Sequence, residues 1–148
     1  MINKPPTLTI EDAYDATWLY IEKYYALTDS DDGAILAGDM MLMANNVPFD
    51  PAMGEDWLKA LHSIKPNEDL DIKKTTLTIE EAYNSMIKFL EIYCSMGADD
   101  DFLEFTEDTK NKNPRVLTWQ DWLNSVEEII GQTPRIRPYF QLLPIEEK

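Results

Sequence analysis

The chain has 148 residues, of which 44% are hydrophobic and 11% aromatic, enough to bury one core and too apolar for a disordered polymer. Against 13 basic residues stand 28 acidic ones. The net charge of −15 disfavours nucleic-acid phosphates and anionic membrane surfaces as partners and favours a cationic one.

Residues 1–7 form a short arm stiffened by Pro5 and Pro6, with no apolar signal region. Leu8-Thr9-Ile10-Glu11-Asp12-Ala13-Tyr14 then opens the first helix. Thr9 is its N-cap, Asp12 closes a capping box, and Leu8 is placed as a hydrophobic staple. Ile10, Tyr14, Trp18, Ile21 and Tyr24 follow at helical spacing to about Leu27. The acidic turn Asp29-Ser30-Asp31-Asp32-Gly33 leads into a second helix, Ala34–Leu42, which contains Asp39. A polar loop over 44–49 precedes a third helix at Asp50-Pro51, with Trp57, Leu58, Leu61 and Ile64 facing inward.

After linker-like residues 65–76 the chain repeats itself at an offset of 69 residues. Leu77-Thr78-Ile79-Glu80-Glu81-Ala82-Tyr83 matches the first opening, with Thr78 and Glu81 as cap and box. Asp100-Asp101 matches Asp31-Asp32, and Asp108 matches Asp39. Asp121-Trp122-Leu123 matches Asp56-Trp57-Leu58 after a four-residue deletion. The second helix of this copy, Phe102–Asp108, reads as shorter and more acidic than its counterpart. Its third opens at Thr118 behind Leu117 and stops at Gly131. Internal repeats at 8–64 and 77–131, each of three helices, predict a single all-α domain of about six helices. The tail 132–148, with prolines at 134, 138 and 144, has no counterpart and is expected to lie extended across the bundle.

Little in the chain resembles catalytic machinery. Cys94 is the sole cysteine, which excludes an intramolecular disulfide and a cysteine metal site, and it reads as a small buried hydrophobe. His62 is the sole histidine, read as a structural or surface residue of the third helix. The aromatic stripes read as packing faces. The acidic turns fail the calcium-loop pattern. Counted from Asp29, position 6 is Ala34 and position 12 is Met40; counted from Asp99, they are Glu104 and Lys110. No cofactor and no metal ligand set is expected, and the protein is read as a non-enzyme. No stretch reaches the roughly 18 apolar residues of a membrane span, so a cytoplasmic protein is expected.

The carboxylates remain as a recognition surface. Asp29, Asp31, Asp32 and Asp39 in the first copy gather on turns equivalent to those of Asp99, Asp100, Asp101, Glu104, Glu107 and Asp108 in the second. Helix capping and a solvated face account for part of this set. A basic partner accounts for the rest, since clustered carboxylates are relieved by arginine or lysine.

The Ile10–Tyr14 opening, Ser30-Asp31-Asp32, Leu36-Ala37-Gly38-Asp39-Met40, Asp50-Pro51-Ala52 and Glu55-Asp56-Trp57-Leu58 together resemble the immunity proteins of contact-dependent growth inhibition systems. The likeness covers residues 8–64 and returns more weakly over 77–130, where the Gly-Asp-Met segment and the Asp-Pro-Ala turn are lost. What the resemblance implies is a cytoplasmic bacterial inhibitor of the C-terminal domain of a cognate toxin, often a nuclease, acting by stoichiometric occlusion. A helical adaptor or regulatory protein for another basic partner is the alternative.

Overall fold

The computed structural model describes residues 6–43 and 47–131. Helix starts follow the caps. The hydroxyls of Thr9, Thr78 and Thr118 accept the N–H of Asp12, Glu81 and Asp121 at 3.0, 3.0 and 3.2 Å. In the last two, the Glu81 or Asp121 side chain also accepts the threonine N–H, which completes the box. Six helices result: α1 (Ile10–Thr28), α2 (Asp31–Met40), α3 (Ala52–Ile64), α4 (Ile79–Ser95), α5 (Asp100–Lys110) and α6 (Trp119–Ile130). The expected all-α bundle is observed.

Three details depart from the sequence reading. Leu8 and Leu77 do more than staple helices. They sit opposite one another in a small antiparallel ribbon of β1 (Thr7–Thr9) and β2 (Thr76–Thr78), both fully buried. Strands of three residues are too short to leave an alternation, so the pattern was invisible. Second, α2 and α5 begin earlier than expected, because Ser30 Oγ and Asp99 Oδ1 take the N–H of Gly33 and Phe102. Consequently α5, at 11 residues against 10 for α2, is not the shorter helix. Third, Cys94 is only half-buried, its Sγ lying 3.4 Å from Thr106 Oγ1.

The long helices α1 and α4 form the centre. Helix α2 packs on α1 and α5 on α4, while the third helix of each half crosses over, α3 lying along α4 and α6 along α1. Matching contacts recur in both halves. Tyr14 Oη donates to Met40 O at 2.8 Å, and Tyr83 Oη to Thr109 O at 2.6 Å. Trp57 Nε1 reaches Ile10 O and Trp122 Nε1 reaches Ile79 O, each at 3.3 Å. Edge-on ring pairs follow the same scheme, Trp57 with Phe89 at 5.7 Å and Trp122 with Tyr20 at 5.9 Å, both at 83°. Both indoles are fully buried, so these bonds spare their polar atoms an uncompensated loss of water.

Residues 65–75 are more than a spacer. Lys65 bridges Glu68 and Glu81 at 3.1 and 3.0 Å, and Leu70 and Ile72 pack on the core. Expectations for residues 1–5, for 44–46 of the polar loop and for the tail 132–148 fall outside the described residues. Among the described residues, no helix is long and apolar enough to cross a membrane.

Candidate functional site

The first helix of each half ends at an acidic turn. Asp29 ends α1 in the left-handed conformation, φ 55°, with its N–H on Tyr25 O at 2.8 Å. That reversal brings Asp29, Ser30 and Asp31 back beside the end of α1. Across from them, Asp99 caps α5, whose first turn carries Asp100 and Asp101, where the positive end of the helix favours carboxylates. The two turns thereby face one another although 67 or more residues separate them in sequence, as the Asp32–Asp99 bond records.

Between them lies a cleft of about 360 Å³. Six carboxyl residues line it: Asp29 and Asp31 from the first half, and Asp99, Asp101, Glu104 and Asp108 from the second. Tyr24, Phe105 and Val116 supply its apolar surface. The rings of Tyr24 and Phe105 stack at 3.8 Å, 18° from parallel. Burial raises the Tyr24 phenol above its usual pKa, and Asp99 and Asp101 push the same way, so at neutral pH it is an uncharged hydroxyl.

Four of the ten candidate residues lie elsewhere or have a different occupation. Asp32 is buried and spent on the fold. Its Oδ1 accepts the Tyr93 hydroxyl at 2.7 Å and its Oδ2 the Asp99 N–H at 2.9 Å. Burial works to raise this carboxyl, yet the two donors outweigh it and hold its pKa below the usual value. Asp39 does not line the cleft. It sits by Asp50, whose N–H it accepts through its carbonyl, and burial with the Asp50 charge raises its pKa. Asp100 and Glu107 are exposed on α5 but do not line the cleft.

Two of the cleft's carboxylates already hold an internal cation. Arg115 Nη1 lies 3.1 Å from Glu104 Oε1 while its Nε lies 3.2 Å from Asp108 Oδ2, so a single guanidinium spans two rim carboxylates. Asp108 also accepts the Asn113 side-chain amide at 3.2 Å. The carboxylates of Asp29, Asp31 and Asp101 make no ion pair among the described residues, which leaves their charge directed at solvent. Among the described residues, no three Asp, Glu, His or Cys side chains gather as a metal ligand set.

The carboxylates are conspicuous in the sequence, but the buried ring pair packed beside them is not. Tyr24 reads as one more stripe residue and Phe105 as part of an acidic helix. No spacing rule pairs residues 81 positions apart. Arg115 gave no signal either, since it follows a polar loop. Comparison with protein-family models, with curated proteins and with solved structures gives no match.

Proposed function

We propose that the protein binds a basic protein domain one-to-one and blocks it, the partner being the toxin domain implied by the resemblance to contact-dependent growth inhibition immunity proteins. Cationic side chains of that domain enter the cleft between the acidic turns. One observation carries this reading: six carboxyl residues from both halves converge on a single cleft. Carboxylates alone suit any cation, and a guanidinium suits several of them best, because its planar fork donates to two oxygens at once. Arg115, spanning Glu104 and Asp108, is an internal instance of one guanidinium held by two carboxylates.

Magnitudes favour specificity and speed over raw affinity. A charge-assisted hydrogen bond contributes about 1.5–3 kcal/mol when desolvated, and an exposed ion pair only about 0–1 kcal/mol. The wider field of −15 steers a basic domain toward the site before contact. A nuclease presents a basic cleft to its substrate phosphates, so an acidic protein that covers this cleft inhibits without chemistry of its own. His62 and Cys94 do not line the cleft. The inhibitor meets its toxin in the cytoplasm.

The immunity reading expects a gene for a large toxin immediately upstream, and its absence overturns the reading; the test is co-purification with the C-terminal domain of that protein. A 1:1 complex by light scattering, with loss of the domain's activity, is the expected result. No complex at low salt overturns the immunity reading. A complex with an unrelated basic protein in its place would favour the adaptor alternative.

A further inference from the structure

The two halves of this chain are bound to one another by contacts that are equivalent in both directions. In the ribbon, Thr7 faces Thr78, Leu8 faces Leu77 and Thr9 faces Thr76. At the 69-residue offset this register maps onto itself, with Leu8 and Leu77 at its centre, as a two-fold axis between them requires. The helices obey the same operation, since α3 of the first half lies along α4 and α6 of the second lies along α1. The ring pairs Trp57–Phe89 and Trp122–Tyr20 are exchanged by it, with equal interplanar angles. Each half therefore gives away its third helix and buries its own central helix with the other's. Self-complementary surfaces of this kind are those by which identical chains form closed dimers.

We propose that a second copy of this chain can supply the partner half, giving an exchanged dimer in which residues 7–64 of one molecule pack against residues 76–131 of the other, and the reverse. Nothing in the inter-half surface distinguishes a partner half on the same chain from one on another. Only the connection over 65–75 does so, and beyond its own hydrogen-bonded turn at Asp71–Thr75 its ties to the rest of the fold are few: chiefly the Lys65 ion pair with Glu81 and the packing of Leu70 and Ile72. Fully extended, those residues span roughly 36 Å, which allows the halves to part. The tether gives the monomer an advantage equivalent to a local concentration on the order of millimolar. The monomer is therefore the form at high dilution, and the exchanged dimer forms when chains fold together while crowded. The acidic cleft takes residues from both halves, so each dimer carries two complete clefts.

The ribbon supplies a specific reporter. Opposed residues of an antiparallel pair lie about 4.5–5.5 Å apart at Cα, within the range a disulfide bridges. In a Cys94→Ser background, one chain carries Leu8→Cys and a second carries Leu77→Cys. Mixed, unfolded and refolded together at high concentration with oxidised glutathione as the oxidant, they should yield a disulfide-linked heterodimer of twice the mass, absent when the same mixture refolds at high dilution. Refolded at high dilution, the single chain with both Leu8→Cys and Leu77→Cys must close its bond internally, which shows that the pair is well placed. Monomer alone at every concentration, while that control closes, overturns the proposal. Because both leucines are buried, the unaltered protein provides a second reading. Refolded at high concentration, it should give a double-mass species by light scattering that persists on dilution, and its absence counts equally against exchange. Neither result depends on a toxin, so the proposed function and the exchange stand or fall separately.

Discussion

Removing the Asp32 carboxylate tests the junction that holds the two acidic turns together. Asp32→Ala deletes the acceptor of the Tyr93 hydroxyl at 2.7 Å and of the Asp99 N–H at 2.9 Å. Each is a bond to a charged group, contributing about 1.5–3 kcal/mol when buried. Asp99 is exposed and Tyr93 half-buried, so water recovers part of that loss. The net cost is about 2–3 kcal/mol, a large share of the roughly 5–15 kcal/mol that stabilises a domain. Thermal denaturation at pH 7 should show Tm lower by about 5–10 °C. The pH dependence has a definite sign. The Asp32 pKa is depressed in the folded chain, so its stabilisation is complete above its ordinary value and disappears as pH falls through the folded one. The gap between parent and variant should therefore narrow as the pH is lowered below the usual carboxylate range. Asp39 and Asp56, whose pKa values burial pushes up, are common to both proteins and cancel. An unchanged Tm at pH 7, or a gap that widens on acidification, refutes the reasoning.

Two further outcomes follow from buried hydroxyls. Tyr14→Phe and Tyr83→Phe each strip a bond from the carbonyl of Met40 or Thr109, and each should cost about 1–2 kcal/mol in urea unfolding. A large difference between the two would contradict the equivalence of these contacts. In α1, Thr17 is fully buried and its Oγ1 has no hydrogen-bond partner. Thr17→Val keeps the shape and removes the unsatisfied group, and should raise stability by up to about 1 kcal/mol; a lower unfolding midpoint would show that the hydroxyl is satisfied in solution.

What the sequence disclosed, and what it did not, divides along the distance over which a residue acts. Caps act within four residues, and Thr9, Thr78 and Thr118 marked three helix starts. Repetition of Tyr14 as Tyr83 and Trp57 as Trp122 pointed to the residues that later proved buried and hydrogen-bonded at matching places. The Leu8–Leu77 ribbon and the crossing of α3 and α6 were not legible, because which half a helix packs against depends on three-dimensional fit and leaves no periodicity. The same limit applies at the cleft. Its acidic residues are conspicuous in the sequence, but Asp32 and Asp101 occupy matching positions with opposite fates. Asp32 finds Tyr93 and the Asp99 amide and is buried; Asp101 stays exposed at the rim. No local pattern separates them.

The central claim is that the cleft receives a cationic partner, and the association rate with the proposed toxin domain tests it most directly. Asp31→Asn with Asp101→Asn removes two rim charges that make no ion pair among the described residues; their loss from two helix starts costs about 0.3–1 kcal/mol each, too little to unfold the chain. Glu55→Gln with Asp69→Asn removes the same charge at exposed positions outside the cleft. Stopped-flow mixing at low salt should show the cleft pair slowing association about tenfold and the distant pair slowing it much less, with the curves converging as salt is raised. Equal effects from both pairs, or none from the cleft pair, would contradict the account and remove the cleft from the interface.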